Sequence, residues 1–149
     1  METRCQLKTI EMQDLSNLNF RGHPLISTIV MQGKYFKETF ETLDWACESF
    51  TLTISPESPC FRLSTEGTNV TCSIEYPFGA SVFEEFICNQ PQSFRYKLAL
   101  LDPVVNSLPV SGKSKLRINQ VGLLFIQHMI KCDDKNAFVD FFIVPEDNE

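Results

Sequence analysis

After the turn-like Glu66-Gly67-Thr68-Asn69, the apolar residues Val70, Cys72, Ile74 and Tyr76 alternate with Thr71, Ser73 and Glu75. Successive side chains of a strand point to opposite faces, so this spacing predicts a strand with one face toward a core and one toward water. With the strand Cys60 to Thr65 before the turn, it makes a β-hairpin. Strand signatures recur along the chain. Leu25 to Val30 is β-branched and apolar, Phe50, Leu52 and Ile54 alternate with Thr51 and Thr53, and Val82 to Cys88 forms a further strand. Phe94, Tyr96, Leu98 and Leu100 alternate with Arg95, Lys97 and Ala99. Three closing strands, about Lys113 to Asn119, Leu123 to Lys131 and Ala137 to Val144, are joined by turns at Gln120-Val121-Gly122 and Asp133-Asp134-Lys135-Asn136.

Two segments break this period. Phe36, Phe40, Leu43 and Cys47 fall at i, i+4, i+7 and i+11, one stripe of an amphipathic helix predicted over Lys34 to Cys47. Lys34 with Glu38, and Lys37 with Glu41, lie four apart on its polar side and can pair. Asp102-Pro103 is a helix start, because Asp caps free amides and Pro tolerates the first helical position. Pro109 keeps that second helix short, about Pro103 to Leu108. Many strands with two one-sided helices predict an α+β domain, an antiparallel sheet with both helices on one face.

A chain of 149 residues, 43% hydrophobic, buries a core sufficient for one domain without disulfides or metal. Its formal net charge of −6 argues against a surface that grips nucleic acid all round, since phosphate binding relies on Lys and Arg. No stretch reaches the ~18 consecutive apolar residues of a membrane helix, and the first ten residues are too polar for a secretory signal, so the expectation is a soluble intracellular chain. Cys5, Cys47, Cys60, Cys72, Cys88 and Cys132 contain no C-x-x-C pair, which favours structural thiols over zinc or disulfides. Cys72, within the alternation, is expected to be a small buried apolar residue. Without a secretory signal, the sequon Asn69-Val70-Thr71 is read as a chance match.

The supply of catalytic groups is poor. His23 precedes Pro24 in a loop-like stretch, and His128 sits inside a strand, where a satisfied or edge-facing histidine is expected rather than a base. Glu84-Glu85 and Asp133-Asp134 are adjacent carboxylates, but strand neighbours face opposite sides and the second pair lies in a turn. Neither supplies a paired acid and base, and no cofactor or metal is expected. Lys34 and Lys37 are candidates for a weak, sequence-independent phosphate contact, moderated by the nearby glutamates. Lys113, Lys115 and Arg117 share one strand face and are read as a solvated stripe.

Several ordered segments together resemble one family: Phe61-Arg62-Leu63-Ser64-Thr65, Ile74-Glu75-Tyr76-Pro77, Cys88-Asn89-Gln90, Arg95 to Leu101, and Phe138 to Asp147. In that order and spacing the chain resembles the second half of a Rad-one-type subunit of the nine-one-one DNA-damage checkpoint clamp, a relative of the PCNA sliding clamp. The resemblance implies a remnant strand, Cys5 to Ile10, and an interdomain linker, Glu11 to Asn19, within residues 1–19. A PCNA-like clamp domain would occupy residues 20–149. It implies a nuclear, non-catalytic subunit or shortened form that supports checkpoint signalling and DNA repair through strand-edge assembly. Its partners would be the other clamp subunits and the clamp loader, with DNA touched only weakly inside a ring.

The resemblance also points to edges. Val70, Thr71, Cys72, Ser73, Ile74, Glu75 and Tyr76 match the edge that meets a neighbouring subunit. Phe138, Val139, Asp140, Phe141, Phe142, Ile143 and Val144 match a second edge, apolar on both faces, that would meet the subunit's own first domain. Self-association is a further expectation, the second edge of one copy pairing with the first edge of another. A partner-recruiting pocket is expected near Glu11 to Leu18 and the adjoining sheet. Two other functional classes stay open at this stage: a 3′–5′ exonuclease-like enzyme, and a free-standing interaction module that competes with clamp assembly.

Overall fold

A computed structural model describes residues 20–107 and 111–146; the expected remnant strand and linker in residues 1–19 lie outside them. After a short 3₁₀ turn at Phe20–Gly22 come β1 (Leu25–Gln32), α1 (Gly33–Glu41), β2 (Ser49–Ile54), β3 (Phe61–Glu66), β4 (Thr71–Tyr76) and β5 (Phe83–Cys88). There follow β6 (Gln92–Lys97), a 3₁₀ turn (Leu98–Leu101), α2 (Asp102–Ser107), β7 (Ser111–Asn119), β8 (Leu124–Cys132) and β9 (Lys135–Ile143). The α+β class is the expected one. The strands, however, divide between two antiparallel sheets, ordered β5-β1-β7-β8-β9 and β4-β3-β2-β6. Alternation reports which face of a strand is apolar and says nothing about its neighbours, which is why one sheet was expected.

The two sheets and the helices share one core. Ile29 and Leu116 from the first sheet, Phe50, Leu52 and Leu63 from the second, and Phe36 and Phe40 from α1 are all at most 1% exposed. Phe36 and Phe40 stack at 4.3 Å, and Phe40 meets Phe50 edge-on at 6.4 Å, so the helix stripe touches the second sheet while α1 lies against β1 and β7. Each fully buried phenylalanine contributes about 1.5–3 kcal/mol relative to an exposed one. The helix thus joins layers that share no strand.

Two elements end earlier than expected. α1 stops at Glu41 instead of reaching Cys47. The Thr42 hydroxyl bonds the Glu38 carbonyl at 2.6 Å, and the Asp44 carboxylate accepts from the Ala46 amide at 3.0 Å, a local turn that competes with helix. Leu43 still reaches the core, whereas Cys47 is only half-buried. β6 gives way to the 3₁₀ turn after Lys97, and the buried positions change from period two to period three: Leu98, Leu101 and Val104 are inside, while Leu100 is 41% exposed.

The turn between β7 and β8 depends on glycine. Gly122 has φ +82°, and a Cβ there would stand inside the Phe94 ring. Its carbonyl accepts the buried Tyr96 hydroxyl at 2.7 Å. Gly122→Ala is expected to destabilise the fold by about 1–3 kcal/mol through overpacking and left-handed backbone strain, read as a lowered urea midpoint with unchanged slope.

Candidate functional site: open sheet edges and an outer-face cleft

β4 pairs with β3 from Glu66↔Thr71 to Phe61↔Tyr76 without a register break. β9 pairs with β8 equally regularly, from Cys132↔Lys135 to Leu124↔Ile143. Each ends its sheet, so among the described residues its other side meets no strand. The two edges lie on opposite flanks. On the β4 flank, Tyr76 and Phe61 reach Phe83 of β5, with ring centroids 5.5 and 5.8 Å away. On the β9 flank, the tail crosses to β6, where the Glu146 amide donates to the Arg95 carbonyl at 2.7 Å. The Glu146 carboxylate there meets Arg95 Nε at 3.0 Å and accepts from Ser49 Oγ at 2.8 Å.

Burial along both edges is incomplete. In β4, Cys72, Ile74 and Tyr76 are half-buried toward the core, while Thr71, Ser73 and Glu75 are exposed. Val70 lies in the turn, 61% exposed, and not in the strand. Cys72 is therefore less buried than the alternation predicts; its thiol donates to the Thr42 carbonyl at 3.2 Å. Tyr76 ties the edge to α1, since Thr39 donates to the Tyr35 carbonyl at 2.6 Å and so accepts from the Tyr76 hydroxyl at 2.8 Å. In β9, Val139 and Phe141 are half-buried, Ile143 is buried, and Phe138 and Phe142 are 57% and 44% exposed on the outer face. Val144 lies just past the strand, exposed.

The remaining two edge strands are blunted. Register slips where Val30↔Glu85 is followed by Met31↔Phe83, leaving Glu84 as an extra residue. This bulge corrects an expectation: Glu84 and Glu85 do not face opposite sides but are both exposed, where they pair with Lys113 and Lys115 of β7. The lysine stripe is thereby neutralised, and Arg117 packs over the Phe125 ring at 4.3 Å. A bulge with paired charges discourages edge pairing. The β6 edge is covered at Arg95 by the tail.

The other candidate groups have structural partners. Lys37 pairs with Glu41 at 3.4 Å, and Lys34 lies 4.5 Å from the Tyr35 ring centroid, both on the polar side of α1. His128 is fully buried. Its Nε2 lies 3.2 Å from the Val104 carbonyl, which only accepts, so Nε2 carries the proton and Nδ1 accepts from Ser114 Oγ at 2.9 Å. It thereby joins β8 to α2 and β7. Cys47, Cys60, Cys72 and Cys88 are free thiols, and among the described residues no cluster of three or more His, Cys, Asp or Glu side chains could hold a metal.

A cleft of about 520 Å³ opens on the outer face of the five-stranded sheet. It is lined by Arg21, His23, Leu25, Arg117, Phe125, Gln127, Asp140 and Phe142, and so lies beside the point where residues 1–19 join the fold. The expected pocket residues Glu11 to Leu18 are outside the described residues. A second cleft, about 700 Å³, is lined by Trp45, Lys97, Asp102 and Glu146 among others.

The family model of the repair proteins Rad1/Rec1/Rad17 matches residues 1–130. The chain belongs to the Rad1 family. It is 34% identical to the human cell cycle checkpoint protein RAD1 over 97% of its own length and 52% of that protein. To the DNA damage checkpoint control protein rad1 of Schizosaccharomyces pombe it is 32% identical, over 97% and 46%. The chain thus spans about half the length of the curated Rad1 relatives it matches. Its fold is that of a solved PCNA from Thermococcus kodakaraensis, with a TM-score of 0.66 at 16% identity over 97% of this chain and 54% of that one.

Sequence reasoning missed the bulge, the Glu146 strap and the residues that line the outer-face cleft of this Rad1-family chain. Two consecutive glutamates between apolar Phe83 and Phe86 were the available signal for the bulge, since strict alternation cannot place both phenylalanines inward. The cleft gathers residues from Arg21 to Phe142 and has no local signature.

Burial lowers the His128 pKa from the ordinary 6.5, while its hydrogen bond to the Val104 carbonyl works the other way. A histidine with a depressed folded pKa contributes stability that is intact above the unfolded value and is lost as pH falls through and below it. Stability should therefore decline as pH drops from 7.5 through the ordinary value of 6.5. His128→Gln should show a shallower decline down to about pH 5, above the ordinary carboxylate range, in urea unfolding.

Proposed function

We propose that this Rad1-family chain is a non-catalytic component, or a shortened form of one, of a nuclear DNA-damage checkpoint sliding clamp. The observation that carries this reading is the pair of regular, unblunted edges, β4 and β9, on opposite flanks of one domain. An added strand supplies main-chain hydrogen bonds along its whole length, and side chains then choose the partner. Thr71 to Tyr76 is the edge offered to a neighbouring subunit, and Phe138 to Ile143 the edge offered to a further domain. The names of the relatives, cell cycle checkpoint protein and DNA damage checkpoint control protein, support a checkpoint role.

The non-catalytic reading is favoured over an exonuclease by what the carboxylates and histidine do. Glu84 and Glu85 neutralise lysines, and His128 is buried with both ring nitrogens engaged. The outer-face cleft, with exposed Phe142 beside Arg21 and Asp140, has the mixed character of a site for a short segment of a recruited protein. Lys34 and Lys37 give α1 a modest positive contribution for passing phosphates.

The deciding experiment is the solution mass of the chain mixed with the other two subunit types of the checkpoint clamp. A complex of defined stoichiometry is expected, and a chain indifferent to both overturns the reading. Within such a complex, Lys34→Glu with Lys37→Glu should weaken DNA retention and flatten its salt dependence, by about 0.9 in logarithmic slope for each phosphate that is no longer neutralised. Unchanged retention removes both lysines from the DNA-facing surface.

A further inference from the structure

The segment between α1 and β2 folds back against the end of the β3–β4 hairpin. The Asp44 amide donates to Thr65 Oγ1 at 3.3 Å, and the Cys47 amide returns to the Asp44 carbonyl at 3.1 Å, so residues 44–47 make a tight turn beside β3. A Cβ on Gly67 would stand 3.5 Å from Cys47 Sγ and 3.7 Å from the Asp44 carboxylate. Lacking a side chain, Gly67 leaves that space to the Cys47 thiol.

Cys72 reaches the same turn from the next strand. Thr65 is buried on the core-facing side of β3, and Cys72 stands directly opposite it. Opposed residues of an antiparallel pair hold their Cβ atoms about 4.5–5.5 Å apart. The Cys72 thiol donates to the Thr42 carbonyl at 3.2 Å, where the α1–β2 segment begins. One thiol therefore lies over Gly67 and the other beside Thr65, with Thr42 and Asp44 tying the turn to both. The environment of Cys47 agrees with this placement. Burial first, and then the Asp44 carboxylate, push its thiol up, a hydrogen bond with the Thr65 side chain works the other way, and Cys72 is a further neighbour that raises it.

We propose that Cys47 and Cys72 form an oxidation site, at which a peroxide joins the two thiols in an intramolecular disulfide that fastens the α1–β2 turn to β4. Hydrogen peroxide converts one thiol to a sulfenic acid and leaves as water. The second sulfur then attacks the first, and its proton departs with the sulfenic hydroxyl as a second water. One S–S bond replaces two S–H bonds, and the peroxide oxygens take up the two electrons. Both thiols are half-buried and so within reach of a small oxidant, whereas Cys60 is fully buried and Cys88 lies on β5 in the other sheet. Cys47 belongs to a segment that is neither helix nor strand, which can make the small approach that a disulfide's Cβ–Cβ separation of about 3.5–4.5 Å requires. Inside cells such bonds form transiently and report oxidation. The site needs neither ring nor partner, and stands apart from the clamp reading.

The test begins with the folded, fully reduced chain exposed to hydrogen peroxide, its remaining thiols blocked before digestion. Peptide mapping should find the Cys47 peptide linked to the Cys72 peptide, and dithiothreitol should separate them. Because the bond restrains the unfolded chain, the oxidised protein should melt several degrees higher than the reduced one, and reduction should reverse the shift. Cys47→Ser and Cys72→Ser each keep a short hydrogen-bonding side chain and should abolish the shift. Oxidised in denaturing urea, the chain should lose its preference for this pair.

Separately oxidised Cys47 and Cys72, or either one joined to another cysteine in preference to its neighbour, overturns the proposal. So does a linked pair no more abundant in the folded chain than in urea, since the fold then plays no part in choosing it. A linked chain that melts no higher than the reduced one overturns it as well, because the bond would have been reached by distorting the fold. If a serine variant fails to fold, the peptide maps of the wild type in its folded and urea-denatured states still decide.

Discussion

Every strand has two sides that need hydrogen bonds, and a domain built from two open sheets leaves four such sides at its boundaries. How those four sides are treated decides what this domain can do. The β5 side is disturbed by the Glu84 bulge and by two glutamate–lysine pairs across β1. The β6 side is strapped at Arg95 by the chain beyond β9. Among the described residues, β4 and β9 are end strands whose pairing has no bulge. Parts of their core-facing rows stay half-buried, Cys72, Ile74 and Tyr76 in β4 and Val139 and Phe141 in β9.

The helices make that arrangement rigid. Phe36 and Phe40 bridge the sheets, and His128 bonds α2 through the Val104 carbonyl while accepting from Ser114 on β7. Tyr76 reaches Thr39 of α1, which connects the β4 edge to the core. An edge tied to the core in this way is ordered beforehand, which would lower the ordering cost of adding a strand to it.

Much of this was legible in the chain itself, because strand alternation and an i, i+4 helix stripe are local signals. The β3–β4 hairpin, the three closing strands and the Phe36–Phe40–Leu43 stripe follow from spacing alone. What was not legible depends on relations between distant segments. Which strands share a sheet, where Glu146 lands, and how Arg21 and Phe142 come to line one cleft are consequences of packing. The end of α1 is an intermediate case: Thr42 and Asp44 are visible as residues that compete for backbone bonds, but the apolar spacing out to Cys47 outweighed them in a periodicity argument. The adjacent glutamates are another, since a single inserted residue reverses which side a carboxylate faces.

The likeness to a PCNA at 16% identity is informative for the same reason. What the two chains share is the fold, not the residues that decorate it. Identity near a third with the checkpoint relatives adds side-chain agreement to that frame. The two levels bear on different questions: the frame explains why there are edges, and the side chains would determine what each edge fits. Ile74 and Tyr76 belong to both levels at once, because Tyr76 packs on Phe61 and Phe83 in the domain's own interior while lying in the strand that would be extended. If β4 is an assembly edge, as proposed, a side-chain change there alters folding and association together.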